Sequence, residues 1–312
     1  MRLSLRSAAT TLAASALLAG CMTGRTTPPA PGGSTASAAQ PAADVQLRGS
    51  FAGPLGLQLY SVRDAIRADV PGTLARVRAL GVRDVELAGT AGMSAAGFRA
   101  ALDAAGLRAV SMHVGYERLR DSLPAVLAEA GTLGVRYVGV AWIPHPGGQP
   151  FTPDMARAAA ADFGRWGAAA RAQGLRFFYH IHGYEFQPAP DGVRPLDVLI
   201  QGTDAADVSY ELDVFWASRP GANPAELIRQ YPGRWALLHL KDMRRGTPTN
   251  DYSGGADPNA TEVPVGSGQI DYRAVLQAAR TAGAAYYFIE DETAAPFATI
   301  PQSVAWLSTV RW

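Results

Sequence analysis

The sequence predicts an α/β protein built as a single (β/α)8 barrel of the TIM type. Three observations predict it. One phrase recurs along the chain, a helical stretch closed by glycine and followed by a short apolar run. With the flanking elements this makes eight alternating units in roughly 260 residues, the size and pattern of such a barrel. All five histidines then fall at the ends of predicted strands, one side of the fold.

Each element follows in order. "LGLQLY" at 55–60 opens the sheet, and a helix is predicted over Val70–Leu80. "RALGVRDVEL" leads from that helix into strand two, and "DAAGLRAVSM" from a helix at Ala95–Ala105 into strand three. "GTLGVRYVGV" joins Leu123–Leu133 to strand four, and "RAQGLRFFYH" joins Met155–Gln173 to strand five. Pro195–Gly202 precedes strand six, "DVSYELDVF"; Pro224–Gln230 and "YPGRWALLHL" give strand seven; Tyr272–Ala282 and "RTAGAAYYFI" give strand eight, before a last helix at Ile300–Val310. Glycine past a helix end supplies the left-handed cap, and the β-branched and aromatic run after it suits a parallel strand buried on both faces. A doubly wound sheet is the competing architecture, but no GxGxxG follows the first strand.

The barrel is predicted to occupy 54–312. The segment before it reads differently. "MRLSLRSAATTLAASALLAGC" has arginines, then an apolar stretch too short to span a bilayer, then a lipobox-like "LAGC",. Residues 1–21 are therefore expected to be a lipoprotein signal peptide, with Cys21 lipidated. That predicts an exported bacterial lipoprotein, anchored in the cell envelope and facing the periplasm, whose only membrane contact is the anchor. Cys21 is the chain's single cysteine, so no thiol remains for a disulfide or a thiolate site,. Residues 22–53, rich in Pro, Gly, Ser and Ala, read as a flexible tether. A net charge of +1 gives no electrostatic footprint for nucleic acid,.

Alternation along the strands decides which side chains enter the barrel. Phe178, His180 and His182 share a face, as do Ser209, Glu211 and Asp213, then Leu237, His239 and Lys241, then Tyr286, Phe288 and Glu290. With those faces inward, Glu185, Asp213, His239 and Glu290 converge above strands five to eight. Three carboxylates and an imidazole suit one divalent ion, Mn, Mg, Co or Zn, with positions left for substrate oxygens. Singly, each residue has a plainer reading: Asp213 a turn residue, His239 a satisfied core histidine, Lys241 and Asp242 a surface ion pair. Occurrence at successive strand ends favours a site. His113 and Glu86 are candidates to bind substrate hydroxyls, Gln58 and Tyr60 to line the pocket, and Trp142, Phe215 and Trp216 to offer flat faces to a sugar ring. The polar, glycine-containing stretch 244–268 reads as a lid or specificity loop.

"LGLQLYSVRD", "YHIHGYEF", "ELDVFWA", "LHLKDM", "VGSGQIDY" and "FIEDE" stand in the order found in the sugar phosphate isomerase/epimerase family, whose fold is the xylose isomerase-like barrel, and the chain resembles that family from Leu55 to its end. The resemblance implies a metal held by Glu185, Asp213, His239 and Glu290. Many members have asparagine where this chain has Ile181, and some carry the strand-five acid on the strand itself, so Glu185, His180 and His182 stay open as alternatives there. The activity expected is that of a metal-dependent isomerase or epimerase of a sugar or oxidised sugar, working through an enediolate. Glu185 and Glu290 are the expected acid and base, Lys241 supports the oxyanion, and His113, Glu86, His180, His182, Trp216 and Gln58 contact a small carbohydrate. The alternatives are a lyase or dehydratase on a keto-sugar or keto-glycoside, and a carbohydrate-binding lipoprotein without catalysis. A phosphodiester-cleaving relative, the apurinic endonuclease, is disfavoured by the absence of basic bias.

Overall fold

The computed structural model describes residues 43–255 and 261–312. Cys21, the leader at 1–21 and the tether up to residue 42 lie outside them. β1 (Leu55–Gln58), β2 (Asp84–Leu87), β3 (Arg108–His113), β4 (Tyr137–Val140), β5 (Arg176–His180), β6 (Val208–Asp213), β7 (Trp235–Leu240) and β10 (Tyr286–Ile289) close a barrel in which every neighbouring pair is parallel. Between β7 and β10, β8 (Asp242–Met243) and β9 (Glu262–Val263) form a short antiparallel pair at the foot of the long loop.

The helices fall where propensity and glycine caps put them. α2 is Val70–Ala79, α3 Ala95–Ala105, α5 Pro153–Ala172, α6 Pro195–Gln201, α8 Pro224–Gln230 and α9 Tyr272–Ala282. Gly106, Gly134 and Gly283 each take the left-handed cap conformation. Three features differ from expectation. α4 runs Tyr116–Leu133, seven residues longer at its start, because it bends at Ser122 (φ −143°, ψ 32°) just before Pro124,. α10 begins at Pro296, which suits a first helical turn,. Two short helices, α1 (Arg63–Ala68) and α7 (Val214–Ser218), follow β1 and β6 directly. No helix among the described residues is long and apolar enough to cross a membrane.

Contact with the barrel begins before residue 54. The Val45 N–H donates to the Gly81 carbonyl (2.9 Å), the Arg48 N–H to Ser308 (2.7 Å), and Phe51 is buried with its ring edge-on to Tyr287. Phe51, buried, and Leu47, partly buried against the same core, are the large apolar residues in this part of the expected tether that repay such ordering by burial,.

Inside the barrel, Val110, Tyr137, Phe178, Leu237 and Phe288 pack into a separate apolar cluster. One step further towards the strand ends the lining turns polar, with Glu86, Ser111, His180, Glu211, Asp213 and His239 all buried. The ladder register shifts between Val85 and Glu86 and between Tyr210 and Glu211. Such irregularities re-aim side chains, and both precede an inward carboxylate.

Candidate metal centre

β6 delivers Asp213 at its last position, where it also caps α7: its Oδ1 accepts the Trp216 N–H at 2.9 Å. Its Oδ2 is buried without a hydrogen-bond partner. Around that oxygen stand His239 Nδ1 at 3.8 Å and His180 Nε2 at 4.0 Å, and His239 Nδ1 is 3.2 Å from Glu290 Oε2. Donor atoms about 2.1 Å from a common ion stand about 3.0–3.4 Å apart, so small side-chain rotations would close the set. An unpaired buried oxygen is costly, and one facing two imidazole nitrogens and a second carboxylate fits a divalent cation. Asp213, His239 and Glu290 are the residues that could hold it, and His180 Nε2, 4.0 Å from Asp213 Oδ2, is the donor placed to join them.

Two further carboxylates aim the imidazoles. Glu86 Oε1 pairs with His239 Nε2 at 2.6 Å and also accepts from Gln58 Nε2 at 2.7 Å, while Glu86 Oε2 accepts from Ser111 Oγ at 2.5 Å. Glu211 Oε2 pairs with His180 Nδ1 at 2.9 Å and with His113 Nε2 at 3.0 Å. Each acid occupies one ring nitrogen and turns the other towards Asp213, the arrangement that orients metal-binding histidines. His113, His180, Glu211 and His239 also gather within 4.8 Å of one another. Their contacts, at 2.9 to 3.3 Å to Glu211 Oε2, are those of a hydrogen-bond network,.

The charges of this buried layer follow from its neighbours. Burial raises Asp213 to about 7, against Lys241 and His239, which lower it. Burial also opposes ionised Glu290, but Lys241 and His239 outweigh it and hold the carboxyl well below its usual range. Burial disfavours charge on His113 too, yet Glu86 and Glu211 raise it to about 10. His180 is driven far down, by burial first and then by His239, and is neutral.

The strand-five glutamate is not part of this group. Gly183 adopts φ 93°, and the 3-10 turn Tyr184–Phe186 carries Glu185 away from the barrel axis. Its Oε1 accepts from the Tyr179 hydroxyl at 2.5 Å and from the His182 N–H at 3.0 Å. Tyr179 alternates with the inward Phe178 and His180, so this carboxylate belongs to the strand–helix interface, where burial pushes it up to about 7,. Glu185, expected as a ligand, thus stands outside the group, and of the three residues open at strand five it is His180 that faces Asp213. Glu86, expected to bind substrate, is fully buried beneath the centre and has its oxygens engaged.

Lys241 and Asp242 are no surface pair, since both are buried. Lys241 Nζ is bound by Glu292 Oε1, lies 3.6 Å from Glu290 Oε2 and 3.8 Å from Glu262 Oε2, and sits over the Phe215 and Trp216 rings. Burial disfavours its charge, but Glu290, Glu262 and Glu292 keep it protonated. Above the centre opens a cleft of about 590 Å³ lined by Gln58, His113, His180, His182, Trp216 and Glu290, among others, but not by Lys241 or Glu185. Burial lowers His182, at its wall, to about 3, leaving a neutral ring. Glu211, Glu262 and Glu292 were not anticipated as members of the site. For Glu211 the signal existed, since alternation puts it on the inner face two residues before Asp213.

A family model described as a xylose isomerase-like TIM barrel matches residues 74–310. No curated protein matches the chain in sequence. Among solved structures, a sugar phosphate isomerase/epimerase from Parabacteroides distasonis ATCC 8503 is similar at TM-score 0.68 and 25% identity, over 86% of this chain and 98% of that one. The IolI protein with a bound zinc atom is similar at 0.62 and 14%, over 81% and 94%. An L-ribulose 3-epimerase is similar at 0.62 and 16%, over 82% and 93%.

Proposed function

We propose, from the premise that this chain belongs to the xylose isomerase-like TIM-barrel family, that it is a divalent-metal-dependent isomerase or epimerase of a sugar or oxidised sugar. One observation carries the reading: the partnerless Asp213 Oδ2, set among His180, His239 and Glu290 beneath an open cleft that His180 and Glu290 line. The zinc in IolI, a protein of the same fold, is consistent with it.

A cation held by those four residues would polarise a carbonyl and acidify the adjacent C–H. The protein's groups do the rest. Glu290, kept ionised by Lys241 and His239, takes the proton from the carbon beside the carbonyl, giving an enediolate,. Lys241, fixed in its charged form behind Glu290, adds positive potential without reaching the substrate,. Glu290 then holds that proton and gives it back to the enediolate, while the neutral ring of His182, on the cleft wall, hydrogen-bonds a substrate hydroxyl,. Return to the neighbouring carbon moves the carbonyl; inversion instead takes a proton from water on the opposite face while Glu290 releases its own to solvent. Trp216, on the cleft wall, offers a flat apolar face to the reacting sugar,.

The test is elemental analysis of the purified protein, followed by ketoses in D2O monitored by proton NMR. Stoichiometric metal and exchange of one C–H at constant composition are expected. Exchange undiminished after the metal is stripped would overturn the reading. Export and anchoring through Cys21 belong to the same proposal and rest on residues 1–21 of the sequence.

A further inference from the structure

The cleft measures about 590 Å³. A hexose at the packing density of organic solids fills on the order of 200 Å³, so one ring at the Asp213–His239–Glu290 end leaves much of the space unused. The remainder is walled by aromatic side chains. Among the described residues four large apolar side chains are exposed, and two of them, Tyr60 and Trp142 (42% and 40% exposed), stand on this cleft.

A single exposed aromatic needs no explanation, but Trp142 is held in place by part-buried His145 and buried Tyr184. His145 stacks on its indole (5.0 Å, 24°) and bonds the Ile143 carbonyl through Nδ1 at 2.8 Å. Tyr184 meets the indole edge-on at 4.7 Å, and its hydroxyl accepts the Ile143 N–H at 2.9 Å. That hydroxyl bonds Tyr179 at 2.7 Å, and Tyr179 donates to buried Glu185. The acid that sequence pattern places on the metal thus anchors the wall carrying Trp142. An aromatic face fixed before a ligand arrives loses little entropy on binding and matches the apolar C–H face of a sugar ring. Among the described residues no arginine or lysine lines the cleft; its carboxylates are Glu117, Glu290 and Glu292. An anionic group in the outer part would meet like charge.

We propose that the cleft takes an uncharged glycoside of at least two sugar units, with the carbonyl-bearing unit at the metal centre and the ring of the next unit stacked on Trp142; this rests on the sugar chemistry read above for the same site. The test is calorimetric titration of the manganese-loaded protein with D-fructose, with lactulose, which is the same ketose carrying a galactosyl ring, and with D-fructose 6-phosphate. Lactulose is expected to bind about two- to tenfold more tightly than fructose, the gain of one ring on an aromatic face, and the phosphate no more tightly than fructose. In Trp142→Ala the lactulose-to-fructose ratio falls to about one, and Trp142→Phe, which keeps the wall packed, retains part of it. A ratio of one in the wild type, or one that survives Trp142→Ala, overturns the second-ring assignment; tighter binding of the phosphate overturns the uncharged class. If fructose binds and exchanges its C–H while lactulose gains nothing, only this inference falls. If none of the three binds, the sugar reading falls with it.

Discussion

At the scale of single residues the centre depends on one oxygen that lacks a hydrogen-bond partner and on two imidazoles that are aimed at it. Asp213→Asn replaces a carboxylate ligand by an amide and is expected to lower cation affinity more than a hundredfold, roughly the loss of a primary ligand's charge against the 10–100-fold typical of an outer partner. Glu86→Gln, which loosens the hold on His239 Nε2, should fall in that lower range; competition with a fluorescent chelator measures both, and equal affinity in all three proteins would contradict the assignment. Glu185→Gln should leave cation affinity unchanged. Its signature is in stability: the Glu185 carboxyl titrates near 4.5 when free and is pushed up to about 7 by burial. From about 4.5 to about 7 the unfolded chain releases this proton while the folded one keeps it, so wild type loses stability relative to the glutamine variant as pH rises through that window. Above about 7 the difference levels off. A flat difference in Tm between the two proteins over the window would refute this.

At the scale of elements, the β8–β9 pair anchors the long loop beside the centre through one carboxylate. Asp242 accepts the N–H groups of Met243 (2.7 Å), Gly266 (2.9 Å), Gly268 (2.9 Å) and Ile270 (3.3 Å). Gly268 comes so close that an added Cβ would lie 2.2 Å from Asp242 Oδ1 and 2.3 Å from the Met243 carbonyl. The "GSGQID" stretch is therefore a loop folded around an acid, and its glycine follows from that approach. Asp242→Ala leaves four N–H groups without an acceptor and is expected to cost about 2–4 kcal/mol, read from urea unfolding. Gly268→Ala should be destabilising as well, because backbone atoms cannot yield to the new methyl. The strands and most helices were legible from glycine caps and apolar runs. The bend in α4 and the late start assigned to α10 were not, because Pro124, Pro296 and Pro301 read as breaks in a linear pattern although a proline is compatible with a first turn or a kink,.

For the whole molecule, the cation and the fold are linked. Buried Asp213, Glu290 and the histidines carry like and unlike charges that the ion would balance, so binding should raise the stability in proportion to the logarithm of metal concentration, by about 2.7 kcal/mol at a hundredfold excess over Kd, and the melting temperature with it. EDTA should lower Tm and Mn²⁺ or Zn²⁺ restore it; a melting temperature indifferent to both would argue against a native centre. In cells, Cys21→Ser should shift the protein from the membrane fraction to the soluble one, which fractionation would read directly.

What the amino-acid order determined was the repeat and its polarity. A glycine after each helix and a β-branched or aromatic run after each glycine specify eight parallel strands, and a period of two places Asp213, His239 and Glu290 on their inner faces. These are local properties, written within a few residues of where they act. What only the tertiary structure decided was which side chains meet across the barrel. His180 rather than Glu185 joins the centre because the left-handed turn at Gly183 breaks the period of two just past the strand end. Glu86 and Glu211 serve the imidazoles because ladder irregularities on β2 and β6 bring residues from distant parts of the chain into one buried layer, a proximity that no local pattern encodes.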